Sequence, residues 1–166
     1  MIRLIVSDID GVWTDGGILY SADGTEAKVF NVRDGLGVKL AQRAGIAVAI
    51  LTSRTSEAVE RRCRELGIEE VIQASRGKLG DLRALSARLE IPLEDICFIG
   101  DDLPDIPSMK ACGLSAAPSD AALDVLAIAE WRLDSPGGRG AFRELVEKIL
   151  QERGSWRSVL DDLLKE

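Results

Sequence analysis

The chain contains no histidine among its 166 residues, and this absence excludes several kinds of catalytic site. Histidine-based triads, histidine zinc sites and histidine general bases are ruled out, so acid–base chemistry falls to carboxylates, lysine or water. Cysteine is scarce as well: Cys63, Cys97 and Cys112 are an odd number and have no metal-ligand spacing. We predict buried thiols in a reducing compartment rather than disulfides or a metal centre.

The sequence also lacks an excess of basic residues and any long apolar run. It has 21 Lys and Arg against 28 Asp and Glu, a formal net charge of −7. This balance argues against nucleic acid or an anionic membrane as the main partner, because both select basic surfaces. No basic leader with a long apolar segment opens the chain, and no stretch approaches membrane-spanning length. We therefore expect a cytoplasmic protein with neither nucleic-acid nor membrane partners.

Hydrophobic residues make up 46% of the chain and charged residues 30%, a balance typical of globular proteins. The length predicts a single domain over residues 1–166 with one sizeable core. Residues 46–51 and 96–99 are apolar without polar alternation, which is typical of strands buried on both faces. Because such runs alternate with helical patterns, we predict an α/β fold, a three-layer Rossmann-like parallel sheet with helices on both faces.

One segment interrupts this alternation. An Asp-Gly pair between two short strand-like segments predicts a β-hairpin at about residues 17–30. Since it comes directly after the first strand, we interpret it as a small flap. Asp34 is then expected to cap the next helix. From about residue 137 to residue 166 we expect a C-terminal tail that ends in a short helix.

Near the N-terminus an apolar run leads into two carboxylates, Asp8 and Asp10, followed by Gly11. Both carboxylates are expected at or just beyond the end of a buried strand, where open α/β sheets keep their ligand crevices. Like charges this close are costly unless a cation lies between them or one is protonated. A divalent metal removes the conflict and leaves one oxygen free to attack phosphorus while the second aspartate handles protons. Taken alone, the segment also fits an ordinary Asp-Gly turn.

Two further predicted strands end in polar residues. Thr52 follows one of them, and Asp101, Asp102 and Asp105 follow the other, while Lys78 begins a predicted helix. In a parallel sheet these strand ends lie on one side, so the side chains can converge with the first pair. A hydroxyl and an ammonium group suit a phosphoryl group, and carboxylates suit Mg²⁺. Each residue in isolation also fits a structural role, but their order on these elements favours one site.

These motifs resemble the haloacid dehalogenase superfamily of aspartate-nucleophile phosphatases. Its four motifs are matched, in order, by Asp8-Ile9-Asp10-Gly11-Val12, Thr52, Lys78 and Gly100-Asp101-Asp102-Leu103-Pro104-Asp105. The sequence is most similar to one branch, the 3-deoxy-D-manno-octulosonate 8-phosphate phosphatases, whose signatures are matched by residues 30–35, 51–54 and 137–144. In that branch a hairpin replaces the large cap domain. The resemblance covers about residues 4–150 and implies this fold, with a flap and no large cap.

The resemblance also implies roles for individual residues. Asp8 would be the nucleophile that becomes an aspartyl-phosphate, and Asp10 would protonate the leaving hydroxyl and then activate water. Thr52 and Lys78 would hold the phosphoryl group, so the implied catalytic residues are Asp8, Asp10, Thr52 and Lys78. The implied Mg²⁺ ligands are Asp8, Asp10 and Asp101, supported by Asp102 and Asp105. The implied substrate-binding residues are Asp10, Asn31, Val32, Arg33, Asp34, Gly35, Lys39, Arg54, Arg62, Lys78 and Arg139.

The function implied by this branch is Mg²⁺-dependent hydrolysis of a phosphorylated sugar acid, in the lipopolysaccharide precursor pathway. Relatives form homotetramers in which the hairpin and a neighbour's C-terminal segment cover the site, which places Arg139 at a subunit boundary. A nonulosonate 9-phosphate phosphatase or a broader sugar-phosphate phosphatase is the nearest alternative. Arg54 and Arg139 favour the eight-carbon substrate, because the nine-carbon branch tends to carry Glu there.

Alternatives from other classes fit less well. A response-regulator receiver domain needs a phosphoacceptor aspartate after a middle strand, but the corresponding strand here ends in Thr52. A non-catalytic regulatory domain would not need the intact set of catalytic residues. Residues 154–166 extend past the usual end of the family, and this extension either packs on its own subunit or alters the oligomer or access to the site.

Overall fold

The computed structural model describes residues 1–165, and strands and helices alternate along it. The strands are β1 (Leu4–Ser7), β2 (Leu19–Tyr20), β3 (Glu26–Ala27), β4 (Ala47–Leu51), β5 (Glu70–Ile72), β6 (Ile96–Ile99), β7 (Leu114–Ala117) and β8 (Trp131–Arg132). The helices are α1 (Val32–Arg43), α2 (Glu57–Leu66), α3 (Lys78–Leu89), α4 (Ile106–Ala111), α5 (Leu123–Ile128), α6 (Ala141–Glu152) and α7 (Trp156–Leu163). Short 3₁₀ turns span Leu93–Asp95 and Leu103–Asp105.

Six of the strands form one sheet in the order β5-β4-β1-β6-β7-β8, and every neighbouring pair is parallel. β1 lies between β4 and β6, so Leu4 pairs with Ala47 on one side and with Ile96 on the other. All four residues of β1 are buried, as the unbroken apolar run predicts. This arrangement confirms the predicted parallel α/β sheet, and it places the ends of β1, β4 and β6 side by side.

The helices cover both faces of the sheet, which confirms the three predicted layers. On one face α1, α2, α6 and α7 pack on the sheet around Val38, Val59 and Phe142. On the other face α3, α4 and α5 bury Leu82, Met109 and Val125. Apolar residues three or four positions apart on each helix form the stripe that faces the sheet. None of the helices in the described part of the chain is long and apolar enough to span a membrane.

The predicted hairpin is present as a separate two-stranded antiparallel sheet of β2 and β3. Each of its strands is only two residues long, so the flap is mostly turn and extended chain. The predicted helix cap is wrong by three residues: Asn31 caps α1, accepting a hydrogen bond from the backbone N–H of Arg33 at 2.9 Å. Asp34 instead lies in the first turn of α1.

The C-terminal extension packs on its own chain. In α7 Val159 is buried, and Trp156 and Leu163 lie partly buried against the core that α1 and α6 also cover. The spacing of these three residues places them on one helical face, which explains why the segment folds back. This outcome favours the first of the two roles that the sequence left open for residues 154–165.

Candidate active site

The ends of the three central strands meet at one cavity of about 310 Å³. β1 delivers Asp8 and Asp10 to it, β4 delivers Thr52, and β6 delivers Asp101. The cavity is lined by Asp8, Asp10, Gly16, Ile18, Thr52, Ser53, Arg54, Lys78, Asp101, Asp102, Pro104 and Asp105. The structure thus brings together the residues of all four sequence motifs, as the parallel topology requires.

Lys78 connects two carboxylates at the floor of this cavity. Its Nζ atom lies 2.8 Å from Oδ2 of Asp8 and 2.6 Å from Oδ1 of Asp105, and all three side chains are buried. The other oxygen of Asp105, Oδ2, accepts hydrogen bonds from the backbone N–H groups of Asp101 and Asp102, with N···O distances of 3.1 and 3.3 Å. Asp105 therefore fixes Lys78 and the loop after β6, and Lys78 in turn fixes Asp8.

We call Asp8, Asp101 and Asp105, together with Lys78, the acidic cluster. Burial raises the pKa of Asp8 to about 6, and the nearby Asp105 carboxylate adds to the effect against the opposing charge of Lys78. Burial, followed by repulsion from Asp8, raises the pKa of Asp101 to about 7. Three carboxylates facing one lysine leave an excess of negative charge in a place where water screens it poorly.

The acidic cluster fits a divalent metal. One carboxylate oxygen from each of Asp8, Asp101 and Asp105 lies within 4.8 Å of the others. Oδ1 of Asp101 is buried and has no hydrogen-bond partner among residues 1–165. A buried carboxylate oxygen without a donor is costly, and a hard cation such as Mg²⁺ prefers oxygen ligands of this kind. Because the oxygens of Asp105 already serve Lys78 and the backbone, Asp105 suits a supporting role.

Gly11 makes room for this arrangement. Its φ is +87°, a conformation that other residues rarely adopt, and a Cβ atom there would lie 1.9 Å from Oδ2 of Asp101. The glycine after the Asp-x-Asp pair is therefore required by the close approach of the loop after β6. Asp102 plays a different part, because its carboxylate accepts the backbone N–H of Leu103 at 2.8 Å and caps the 3₁₀ turn.

Asp10 belongs to a second group of charges that involves the flap. Its Oδ1 accepts a short hydrogen bond from Nζ of Lys28, and its Oδ2 lies 3.6 Å from Nε of Arg54. Glu26 faces the same two cations: its Oε2 accepts a short hydrogen bond from Arg54, and its Oε1 lies 3.3 Å from Lys28. We call Asp10, Glu26, Lys28 and Arg54 the charge ring.

Sequence reasoning assigned no role to Glu26 and Lys28. The one available signal is their spacing, because residues i and i+2 of an extended strand point to the same side. The side chain of Lys28 is only 1% exposed although the flap around it is largely exposed. Burial raises the pKa of Glu26, but the hydrogen bond from Arg54, the hydroxyl of Ser56 and the positive charge of Lys28 together lower it below its usual value.

The remaining residues that the resemblance assigned to substrate binding lie outside this cavity in a single chain. They are Asn31, Val32, Arg33, Asp34, Gly35, Lys39, Arg62 and Arg139. The structure gives Lys39 another partner, because its Nζ donates to the carbonyl oxygen of Leu66 at the end of α2 at 2.6 Å. Arg62 packs over Gly35 and forms an ion pair with Glu65 at 3.3 Å. The assignment of these eight residues to the substrate stays a prediction.

Asp34 is also turned away from the cavity. It is 1% exposed, and its Oδ1 accepts the backbone N–H of Arg143 at 2.9 Å at the start of α6. Burial raises the pKa of Asp34, and the backbone N–H groups of α6 offset only part of that effect. A carboxylate at a helix N-terminus supplies an acceptor for N–H groups without helical partners and interacts favourably with the helix dipole. In this chain Asp34 ties α1 to α6.

The glycine-rich loop before α6 packs directly on the loop after Asp10. A Cβ atom at Gly137 would lie 2.0 Å from the carbonyl oxygen of Gly11, and one at Gly138 would lie 2.7 Å from the backbone nitrogen of Asp15. Gly138 donates its N–H to the carbonyl of Val12 at 2.9 Å and accepts from the side chain of Asn31 at 3.3 Å. This contact holds the backbone that follows Asp8 and Asp10.

A sequence model of the haloacid dehalogenase-like hydrolases matches residues 36–113. Among curated proteins, the 3-deoxy-D-manno-octulosonate 8-phosphate phosphatase KdsC of Salmonella typhi is 42% identical over 153 residues, covering 92% of this chain and 81% of that protein. The Haemophilus influenzae protein of the same name is 40% identical over 160 residues, covering 96% of this chain and 88% of the relative.

Solved structures give the same result. The 3-deoxy-D-manno-octulosonate 8-phosphate phosphatase of Moraxella catarrhalis, solved with magnesium ion, phosphate ion and KDO, superposes with a TM-score of 0.95 at 37% identity, covering 98% of this chain and 93% of that one. A cobalt-bound phosphatase of the same kind from Haemophilus influenzae gives a TM-score of 0.90 at 39% identity, covering 93% and 91%. The chain therefore belongs to the 3-deoxy-D-manno-octulosonate 8-phosphate phosphatases, within the haloacid dehalogenase-like hydrolases.

Proposed function

We propose that this protein is a Mg²⁺-dependent phosphomonoester hydrolase that converts 3-deoxy-D-manno-octulosonate 8-phosphate to the free sugar acid and phosphate. The observation that carries the proposal is the acidic cluster, in which Lys78 holds Asp8 beside the carboxylate of Asp101. Relatives that span most of the chain carry this activity in their names. The cavity also contains Arg54, a cation suited to a substrate with a carboxylate.

In the proposed reaction an oxygen of Asp8 attacks the phosphorus atom, and the bond between phosphorus and the sugar oxygen breaks. Asp10 gives its proton to that oxygen, which leaves as the sugar hydroxyl, and phosphate remains bound to Asp8 as an acyl phosphate. Asp10 then takes a proton from water as the water attacks phosphorus, which releases phosphate and restores Asp8. Thr52 and Lys78 line the cavity where the phosphoryl oxygens would lie and are suited to hold them.

We propose that Asp8 and Asp101 hold Mg²⁺ through their carboxylates and Asp10 through its backbone carbonyl oxygen, with Asp102 and Asp105 in support. When bound, the metal neutralises charge on the phosphoryl oxygens and on the cluster itself. Lys78 keeps Asp8 in place for attack, because its ammonium group contacts Asp8 and is anchored by the buried Asp105. The fixed geometry spares the reaction the cost of ordering these groups.

We further propose a homotetramer, in which the exposed members of the predicted substrate-binding set outside the cavity, Val32, Arg33 and Arg139, face a neighbouring subunit's site. Arg139 and Arg33 are exposed, and Val32 is 79% exposed, so this surface is open to contact in a single chain. Light scattering on the purified protein measures the oligomeric state. A monomer would remove the basis for assigning these residues to the substrate.

The test of the proposed function is phosphate release from 3-deoxy-D-manno-octulosonate 8-phosphate with Mg²⁺, beside EDTA, Asp8→Asn and Asp161→Asn. Asp161 is an exposed carboxylate on α7 and is the matched control. We expect the wild type and Asp161→Asn to release phosphate at the same rate. Neither the wild type with EDTA nor Asp8→Asn should release it. A clear preference for a nine-carbon nonulosonate 9-phosphate would replace the substrate but keep the chemistry. Inactivity on every phosphate ester would reject the proposal.

A further inference from the structure

In the charge ring, carboxylates and cations alternate and join the flap to Asp10, the proposed acid–base residue. Each oxygen of Asp10 faces one cation and each oxygen of Glu26 faces one cation, so Lys28 and Arg54 both bridge the two carboxylates. The contacts from Lys28 to Asp10 and from Arg54 to Glu26 are hydrogen bonds. The other two, at 3.3 and 3.6 Å, are longer ion pairs.

We propose that Glu26 and Lys28 are positioning residues, through which the flap orients the carboxyl group of Asp10 for proton transfer. The inference rests on the proposed function, in which Asp10 is the general acid and base. It goes further by giving a role in the reaction to two flap residues that never need to touch the substrate.

The first support is that, apart from the charge ring, few contacts hold the flap in place. Its two strands form a separate sheet of two residues each, outside the main sheet. Most of its apolar side chains face solvent, with Leu19 and Tyr20 both 61% exposed and Val29 81% exposed, and only Phe30 at its end packs partly buried against the core. Since burial of apolar surface contributes little here, the polar contacts to Asp10 and Arg54 are what join the flap to the site.

The second support is the burial of Lys28. A lysine normally keeps its ammonium group in water, but the side chain of Lys28 is 1% exposed and its Nζ lies between two carboxylates. Burying a charge is tolerated when good partners replace the lost water. The same two carboxylates, Asp10 and Glu26, face both Lys28 and Arg54, so the ring is neutral and the flap approaches the cavity without adding charge to it.

The third support is the surroundings of Asp10. Within residues 1–165 its charged partners are Lys28 and Arg54, both in the ring. The neighbouring acidic cluster has an excess of negative charge, which would repel an unrestrained Asp10 carboxylate. The hydrogen bond from Lys28 fixes Oδ1 of Asp10, while Oδ2, 3.6 Å from Arg54 and without a hydrogen bond from it, stays free to carry the proton that is transferred. A displacement of about 1 Å from a reactive position can lower a rate by about 100-fold.

The test separates positioning of Asp10 from general damage to the site by using two leaving groups. A sugar hydroxyl must be protonated as it leaves, whereas 4-nitrophenolate leaves without a proton, so a misplaced general acid harms only the first reaction. For Lys28→Met we expect single-turnover cleavage of the sugar phosphate to fall by about 30-fold or more. The first-turnover burst of 4-nitrophenolate from 4-nitrophenyl phosphate should change by less than about threefold, and KM should also change little.

Three further variants complete the comparison. Lys28→Arg keeps the charge and should restore at least a third of the single-turnover rate. Glu26→Gln keeps the shape of the ring but removes one of its negative charges. Its single-turnover rate should lie between those of the wild type and Lys28→Met. Lys110→Met removes an exposed lysine on α4 and is the matched control, with no expected change. Equal losses on both esters, or a change confined to KM, would overturn the proposal.

A readout without substrate separates this proposal from the proposed function. Hydrogen exchange of residues 17–30 in the metal-free protein should become at least about tenfold faster in Lys28→Met, and not in Lys110→Met, because the ring no longer ties the flap down. If the wild type fails to cleave the sugar phosphate while this difference in exchange is seen, the charge ring is supported as the anchor of the flap and the proposed substrate is rejected. Unchanged exchange in Lys28→Met would reject the ring as the flap's anchor.

Discussion

Two groups of charged residues lie side by side at the cavity, and one carries an excess of negative charge whereas the other is neutral. The acidic cluster sets three carboxylates against Lys78 alone, and the pKa values of Asp8 and Asp101 are raised to about 6 and about 7. The charge ring sets two carboxylates against two cations, and the pKa of Glu26 is lowered. The cluster is largely buried, whereas Arg54 in the ring is 38% exposed.

The difference matches the role that we propose for each group. A site that binds a metal and a phosphoryl group has to provide negative ligands that its own residues leave unneutralised. A general acid and base has to be held in one orientation, and a neutral ring does so without requiring a further ion. The acidic cluster is therefore expected to respond strongly to Mg²⁺, and the charge ring weakly.

The largest expected effect is that of removing Lys78. Lys78→Met leaves the fully buried Asp105 carboxylate without its cation, and breaking a buried ion pair in this way costs about 3–5 kcal/mol. Urea denaturation without Mg²⁺ measures the loss in the free energy of unfolding. Lys28→Met is the matched comparison and should cost less, because its partners Asp10 and Glu26 retain 19% and 15% exposure. Equal losses in the two variants would contradict the contrast between cluster and ring.

The next effect is the dependence of stability on pH in the metal-free protein. Carboxyl groups whose pKa is raised on folding favour the folded state below their unfolded pKa, and this contribution is lost as the pH rises through the folded value. Asp8 and Asp101 should therefore lower the melting temperature between pH 5 and pH 8. We expect a drop of about 4–8 °C, equivalent to about 2 kcal/mol for a chain of this size.

Saturating Mg²⁺ should remove most of this pH dependence, because the metal binds the charged carboxylates of the folded state. Asp101→Asn should also reduce the dependence of the melting temperature on pH in the metal-free protein. Scanning calorimetry at several pH values, with EDTA or with Mg²⁺, measures both effects. A metal-free melting temperature that rises from pH 5 to pH 8 would mean that the cluster is not crowded with charge.

Asp34 is a buried carboxylate outside both groups, and the backbone N–H groups at the start of a helix, rather than a cation, are its partners. Asp34→Ala removes the acceptor at the start of α6 and should cost about 1–2 kcal/mol. Unlike the changes in the acidic cluster, this loss should be the same with and without Mg²⁺. Asp124→Ala, at an exposed position in the first turn of α5, is the control and should cost less. A loss that Mg²⁺ reverses would place Asp34 with the metal site.

The sequence was sufficient to predict the parallel sheet and the convergence of Asp8, Thr52, Lys78 and Asp101. Unbroken apolar runs identify buried parallel strands, and topology then brings polar residues at their ends to one edge. These inferences need only local patterns and one geometric rule, so they do not depend on detailed packing.

The parts that the sequence did not reveal depend on contacts between distant segments. Glu26 and Lys28 have the same i, i+2 pattern as any exposed hairpin, and only the tertiary structure turns them toward Asp10. Asn31 and Asp34 are both good capping residues, and local propensity cannot show that one caps α1 while the other caps α6. Likewise, nothing local indicates that Lys39 reaches the end of α2.

The smallest expected effect concerns the loop that presents Lys78 to the acidic cluster. Ala74 in this loop has φ of +56°, a left-handed conformation that strains a residue with a side chain. Ala74→Gly should therefore raise the free energy of unfolding by about 0.5–1 kcal/mol, as measured by urea denaturation. Glu90→Gly is the matched variant, because Glu90 has φ of +53° at the other end of α3 and should gain a similar amount.

Relief of this strain should leave the turnover rate within about twofold of the wild type, because hydrogen bonds rather than residue 74 set the path of the loop. Ser75 donates its N–H to the carbonyl of Thr52 at 3.1 Å, and its hydroxyl contacts Asp81 at 2.5 Å. These contacts remain in Ala74→Gly and keep the start of α3 in register with the cavity. A loss of activity in Ala74→Gly, but not in Glu90→Gly, would mean that the strained backbone itself positions Lys78 against Asp8.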